Sequence, residues 1–395
     1  MTKDLWARRP FFTGDHEAFR ATVAAFLSRH VTAHVESWDE AGIIPREPWL
    51  EAGRQGLLGI NAPEEHGGGG AISDFGFRCA MMEEFAKVGA TSLGSGFSAH
   101  ADIVLPYFFD LATPEQAARW VPDLCSGRRI GAIAMTEPGT GSDLQGIRTT
   151  ARRDGDGDGW VLDGAKTFIT NGILSDLVIV VARTDPAPDA GSRAFSLLVV
   201  ERGMPGFERG RKLAKVGLKS QDTAELFFDN VIVPAGNVLG EVGRGLHHLM
   251  SHLPLERLGI AVAACAGARA ALGWTVEHVS QRQAFGQRIA SFQNTRFAIA
   301  EMLTELEVSQ AYVDDAVLRF NRGELNAVDA AKAKWWATEM HKRLVDRCVQ
   351  LFGGYGYMLE YPIARAYADT RVTTIYGGTT EIMKHIIARD VLEIR

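Results

Sequence analysis

The sequence predicts an α+β fold in three parts: an N-terminal α-helical domain (1–128), a middle β domain of barrel-like or sandwich-like type (129–240) and a C-terminal four-helix bundle (241–395). Three observations predict it. From Asp15 to about Leu124 apolar residues recur at helical spacing between Gly/Pro breaks; from Arg129 to about Leu239 the pattern becomes short β-rich runs; beyond Glu241 long helical periodicity returns. A chain of 395 residues exceeds the usual single-domain size, so two or three domains are expected.

In the first part, "NAPEEHGGGGAISD" (Asn61 to Asp74) reads as a loop, with Ser73 or Asp74 capping the next helix. In the second, "IGAIAMTE", "WVLDGAKTFIT", "DLVIVVART", "AFSLLVVE" and "AELFFDNVIVP" read as strands, and "RRDGDGDGW" as a hairpin turn rich in residues that accept positive φ. In the third, Ile299, Leu303, Leu306, Val313, Val317 and Phe320 fall on one helical face, as do Met340, Leu344, Cys348 and Leu351. Antiparallel packing of such helices makes a bundle.

Composition narrows the class. With 46% hydrophobic and 23% charged residues the chain reads as an ordinary globular protein, and a net charge of -6 argues against a nucleic-acid partner. Cys79, Cys125, Cys265 and Cys348 are scattered and form no C-x-x-C pair, which suggests neither a zinc site nor a redox couple and points to a reducing compartment. Arg8 and Arg9 are followed by Asp15, His16 and Glu17 instead of an apolar run, so no export signal is expected and the localisation expected is cytoplasmic. The most apolar stretch, "LGIAVAACAGA" from Leu258, falls short of the ~20 residues of a membrane span.

Several stretches carry possible chemistry. "AMTEPGTGSD" (Ala134 to Asp143) closes a strand with a Pro-Gly turn in which Gly139 and Gly141 let backbone N–H groups approach an anion, though turns are glycine-rich without function. No G-x-G-x-x-G or P-loop follows a strand, so a Rossmann dinucleotide site is unsupported. Gly353-Gly354 reads equally as a helix C-cap. Histidines 247, 248 and 252 have a spacing compatible with a metal, but no carboxylate or cysteine completes a set and no metal is expected. Glu256, with Leu253, Leu255, Leu258 and Ile260 around it, reads from pattern alone as half of an exposed pair with Arg257.

Five motifs in sequence order change these readings: "AMTEPGTGSD", "KTFITNG" (Lys166 to Gly172), "QRQAFGQ" (Gln281 to Gln287), "QLFGGYGY" (Gln350 to Tyr357) and "IYGGTTEI" (Ile375 to Ile382). From about Phe11 to Arg395 the chain resembles the acyl-CoA dehydrogenase family. The resemblance implies an FAD enzyme that takes an acyl-CoA substrate to the trans-2-enoyl-CoA, passes electrons to an electron-transfer flavoprotein and assembles as a homotetramer, a dimer of dimers. It makes Met135, Thr136, Gly141, Ser142, Phe168, Ile169 and Thr170 flavin contacts, with Phe168 standing where many members have Trp. Arg282, Phe285, Gln293, Gln350, Leu351, Phe352, Gly353 and Gly354 would hold the adenosine diphosphate half of FAD across a subunit boundary; Thr379 and Glu381 are further cofactor contacts. Ser142, Ser192, Arg193, His247, Pro254, Leu255, Arg257 and Gly378 are the implied substrate contacts.

The family's C-terminal loop often carries the catalytic acid at the position of Gly377, and long-chain and isovaleryl-CoA dehydrogenases instead carry it on a helix in an "L-x-E-R-L" context. The resemblance therefore implies Glu256 as the base. Gly377 keeps its backbone N–H for the thioester carbonyl, and its missing side chain is expected to leave room beside the α carbon. The Gly-Gly pair and "KVGLKSQDTAELFFDNVIVP" look closer to long-chain members; isovaleryl-type, oxidase or monooxygenase activity, or an inactive scaffold, are the alternatives. Against an oxidase stands the chain's length, against a nitroalkane oxidase Gly377, and against the scaffold Glu256.

Overall fold

The computed structural model describes residues 5–6, 9–155, 157–187 and 189–393. Seven helices come first: α1 (Gly14–His30), α2 (Val35–Ala41), α3 (Glu47–Arg54), α4 (Gly76–Lys87), α5 (Thr91–Ser98), α6 (Leu105–Leu111) and α7 (Pro114–Cys125). Between α5 and α6 a π-helical turn, Ala99–Val104, keeps the helix running. The N-cap of α4 is Phe75, which has no side-chain cap, and not Ser73 or Asp74 as expected; Asp74, one residue earlier, still accepts from the Gly76 N–H through Oδ1 at 2.9 Å.

The middle part is an eight-stranded sheet: β1 (Gly131–Ala134), β2 (Thr150–Arg153), β3 (Trp160–Thr170), β4 (Leu177–Arg183), β5 (Phe195–Glu201), β6 (Phe207–Lys212), β7 (Thr223–Val233) and β8 (Val238–Leu239). The order is β6-β7-β3-β2-β4-β5-β8, with β1 parallel to β4. A single register pair, Thr150 with Arg183, joins the halves, which close over a shared core of Trp160, Leu162, Val178, Val180, Leu198, Phe228 and Val231. The opposite residues of β4 and β5, among them Ile179, Val181, Leu197 and Val199, pack on Tyr107, Phe108, Trp120 and Leu124 of α6 and α7. Burial on both faces explains why "LVIVVA" has no polar alternation.

The C-terminal part holds α8 (Gly245–Gln281), α9 (Gln293–Asn321), α10 (Ala327–Phe352), α11 (Pro362–Thr370) and α12 (Thr380–Val391). Helices α8, α9 and α10 pack together, α12 and α11 close onto α10, and α4 packs on α8. Helix α8 departs from the sequence expectation. At 37 residues it is long and apolar enough by length and composition to cross a membrane, although Arg257 and Arg269 bound the stretch from Leu258; 67% of its most apolar window is buried inside the protein, as befits the core helix of a bundle.

Candidate active site

Glu256 sits on α8 and is 6% exposed, not half of a solvated pair. Among the described residues Tyr107 of α6 hydrogen-bonds its carboxylate, the O–H donating to Oε1 at 3.1 Å. Burial raises the Glu256 pKa from its ordinary value; the Tyr107 hydrogen bond and the charges of His252 and Arg257 pull the other way without cancelling it. A carboxylate so placed is a stronger base than one in water.

Arg257 turns from Glu256 to the C-terminal loop, where its Nε donates to the Gly377 carbonyl at 3.2 Å. Buried Lys334 of α10 does the same for the next carbonyl, Nζ to Gly378 O at 2.6 Å. Burial, reinforced by the Arg257 charge, lowers the Lys334 pKa to about 8. Two cations thus fix the Gly377–Gly378 backbone against the base helix. Thr379 then caps α12, its Oγ1 accepting from the Ile382 N–H at 3.3 Å, and Glu381 is exposed in the first turn.

The direction a side chain at Gly377 would take is occupied by Ile260. A Cβ there would lie 2.4 Å from Ile260 Cδ1, and φ is +63°. Ile260 stands one turn beyond Glu256, so the helix that carries the carboxylate also closes the position where the loop acid would stand.

On the β domain, Lys166 and Glu137 tie the two motif loops together. Lys166 Nζ donates to Glu137 Oε1 at 2.9 Å and to the Met135 carbonyl at 3.0 Å, and the Thr167 N–H donates to Thr136 O at 2.9 Å. Glu137 also accepts from the N–H groups of Arg148 and Thr149. Met135 and Thr136 are half-buried and Gly141 and Ser142 exposed; Ile169 is buried and Thr170 half-buried, while the ring between these strand residues and Lys166, Phe168, is 68% exposed with φ +60°.

A second group gathers at the end of the bundle. The Arg282 guanidinium lies 5.4 Å over the Tyr355 ring, and His278 stacks on Phe352 at 4.2 Å. Phe285 forms the tip of a small hairpin, Gln283–Ala284 with Gln287–Arg288; it and Gly286 both have positive φ, and the ring is 95% exposed. Gln293 and Gln350 are exposed, Leu351 is half-buried, and Gly353, with φ +62°, caps α10 before the exposed Gly354.

These surfaces fit FAD. Two aromatic rings stand uncovered in backbone conformations that bulky residues avoid, and a Cβ at Gly139, Gly141, Gly353 or Gly354 would meet no atom within 4 Å. The backbone is open there to a large flat ligand, with Arg282 available to a pyrophosphate.

Of the implied substrate contacts, Pro254 and Leu255 lie half-buried beside Glu256, and Gly378 sits in the fixed loop. Ser192 and Arg193 are on an exposed turn, and exposed His247, nine residues before Glu256 on the same helix, faces the other way. Among the described residues no cluster of three His, Cys, Asp or Glu side chains could hold a metal. Tyr107, Ile260 and Lys334 carry no local sequence signal; Lys166, a charged residue within strand β3, and Glu137, just beyond β1, do carry one.

The chain matches the models for the acyl-CoA dehydrogenase N-terminal domain over residues 13–128, the middle domain over 132–231 and the C-terminal domain over 243–392. It is 48% identical over 389 residues to the mitochondrial long-chain specific acyl-CoA dehydrogenase of Sus scrofa, covering 98% of this chain and 89% of that one. Its identity to the mitochondrial isovaleryl-CoA dehydrogenase of Solanum tuberosum is 35% over 385 residues, 97% of this chain and 92% of that one. An acyl-CoA dehydrogenase structure from Geobacillus kaustophilus superposes with a TM-score of 0.94 at 46% identity, covering 97% of this chain and 100% of that one. A glutaryl-CoA dehydrogenase from Mycobacterium smegmatis in complex with FADH2 does so with 0.89 at 28% identity, 97% and 95%. With all three domain models matched in order along the chain, it belongs to the FAD-dependent acyl-CoA dehydrogenase family.

Proposed function

We propose that this enzyme dehydrogenates saturated acyl-CoA thioesters between the α and β carbons to give trans-2-enoyl-CoA in fatty acid β-oxidation, with Glu256 removing the α proton. The observation that carries the reading is the carboxylate itself: buried, raised in pKa by that burial, and one turn from the residue that fills the space beside Gly377. When bound, FAD supplies the acceptor for the β hydride. Phe168, Thr170 and the Met135–Ser142 loop would hold its ring system, and Arg282, Phe285 and the Gln350–Gly354 loop its far end.

The residues of the chain do the remaining work. Burial away from water strengthens Glu256 as a base, and Tyr107 holds the oxygen that does not take the proton. The Gly377 N–H offers the thioester carbonyl a donor as negative charge grows on its oxygen, lowering the acidity barrier at the α carbon. Arg257 and Lys334 hold that loop in place. The 48% identity to a long-chain enzyme, against 35% to an isovaleryl enzyme, favours long-chain substrates. Uncovered Phe285, Tyr357 and Leu359 favour a homotetramer in which a neighbouring subunit reaches the cofactor, with electron-transfer flavoprotein as acceptor.

The test is Glu256→Gln in FAD-loaded enzyme. Turnover with saturated acyl-CoA is expected to fall by ~10²-fold or more with flavin content unchanged. Near-native turnover in that variant would remove Glu256 as the base, and a series of acyl chain lengths assigns the preference.

A further inference from the structure

Tyr107 is part of a stack that ends at the protein surface. Its ring lies against His252 at 4.0 Å and 15° between planes, and His252 stands one turn before Glu256 on α8. Both nitrogens of that histidine face acceptors. Nδ1 is 2.8 Å from the His248 carbonyl, and Nε2 is 3.0 Å from Oδ2 of Asp110, on the same short helix as Tyr107. Nε2 has no hydrogen-bond partner and stands at ion-pair distance from the Asp110 carboxylate, so with Nδ1 bonded to the His248 carbonyl a protonated ring gains a charge partner that a neutral ring does not.

We propose that Tyr107 and the His252–Asp110 pair are positioning residues for the base: the tyrosine holds one carboxylate oxygen, the imidazolium supplies a nearby positive charge, and together they keep Glu256 ionised at neutral pH. The inference rests on the reading of Glu256 as the base.

The arrangement answers a specific problem. A carboxylate buried as deeply as Glu256 gains basicity but tends to pick up a proton and become useless as a base. The groups that face it and oppose this are Tyr107 from α6 and His252 and Arg257 from α8. Arg257 is committed to Gly377, which leaves the tyrosine and the histidine as the adjustable pair. Around His252 stand Asp110 from α6, and His248 and Glu256 from α8, with His247 and Arg244 beyond His248. Burial works against the charged ring, yet Asp110 and the His248 carbonyl outweigh it and raise the His252 pKa. Asp110 is itself 63% exposed, so the stack runs from solvent to the base through three side chains. Asp110 touches neither the carboxylate nor the Gly-Gly loop and acts only through His252.

The experiment is the pH profile of kcat/KM, from about pH 5 to 9, for FAD-loaded wild type, Tyr107→Phe, Asp110→Asn and Glu256→Gln, with a saturated acyl-CoA and an artificial electron acceptor. Tyr107→Phe keeps the buried ring and removes only the donor. Its acid limb is expected to move to higher pH, with a loss of about tenfold on the acid side and recovery toward wild type on the alkaline plateau. Asp110→Asn is expected to move the limb in the same direction by a smaller amount, and its exposed site protects the fold. A purely structural role would give a uniform loss at every pH. Limbs of both variants that superimpose on wild type, with Glu256→Gln inactive, overturn this inference and leave the base in place. Near-native activity in Glu256→Gln overturns the base and the inference together.

Discussion

Moving the base from the helix to the loop is a demanding test of the site, because the structure says what stands in the way. At Gly377 a new side chain meets two obstacles. The φ of +63° is left-handed, which costs a non-glycine residue ~1–2 kcal/mol, and the Cβ would lie 2.4 Å from Ile260 Cδ1. The next Ile260 atom, Cγ1, is 3.9 Å away, an ordinary contact, so the obstruction is a single methyl group. Ile260→Val removes that methyl at a stability cost of ~0.5–1.5 kcal/mol.

Glu256→Gly is expected to lower kcat/KM by ~10²–10⁴-fold. Adding Gly377→Glu should recover little, less than about tenfold, since Ile260 forces the new carboxylate out of line. Adding Ile260→Val as well should recover a further tenfold or so, corresponding to ~1.4 kcal/mol of relieved crowding. The assay is kcat/KM with a saturated acyl-CoA and an artificial acceptor, with flavin content measured in each variant. Positions 260 and 377 should therefore be strongly coupled. If Ile260→Val changes activity by the same factor with and without Gly377→Glu, the Ile260 methyl does not guard the loop position.

Three further outcomes are expected. Burial holds His100 and His341 at pKa about 4, below the ordinary 6.5, so the unfolded chain binds protons first as pH falls; their contribution is whole above pH 6.5 and lost toward pH 4, at ~1.4 kcal/mol per pH unit for each. Tm should fall between pH 7 and 5, and His341→Gln should make that fall shallower; an unchanged slope would contradict it. Burial raises the Asp176 pKa, but Arg46, the Ile130 N–H and Arg202 outweigh it and the net value is depressed, so its contribution is present above the ordinary carboxylate range and lost as pH falls through the folded-state value. Asp176→Asn should destabilise by ~1–3 kcal/mol at pH 7, with the gap from wild type closing in acid, as read by denaturant melts. Finally, light scattering at nanomolar concentration should find no stable FAD-loaded monomer.

The sequence spelled out those parts of the molecule that local pattern controls. Strands β3, β4, β5 and β7 are long and apolar and were legible; β2, "TARR", and β6, "FERGRK", bury one residue each and give a periodicity search nothing to find. Bundle helices announced themselves through one-sided burial, whereas α8 hid its full length because its ends mix Leu with His, Ser and Glu. At the site, Glu256 and Gly377 could be paired through the family motifs. What could not be read was anything that depends on approach in space: Tyr107 is 149 residues from the carboxylate it touches, and Ile260 meets residue 377 only after the bundle has closed. That Ile260 stands where a side chain at Gly377 would point depends on the neighbouring helix and could not be inferred from the loop alone.

The two uncovered rings have a consequence for how this enzyme is made in a cell. Phe168 and Phe285 are held outward, in conformations that phenylalanine disfavours, by the hydrogen-bonded loops and hairpin around them. A freshly folded chain therefore shows sticky aromatic surface until something lies over it. Any ligand that covers those rings shifts the balance toward the native form by mass action. Supply of riboflavin-derived cofactor during expression should thus govern yield and resistance to proteolysis as strongly as many core substitutions do, and a chain starved of it should be lost to aggregation before its catalytic competence is ever tested.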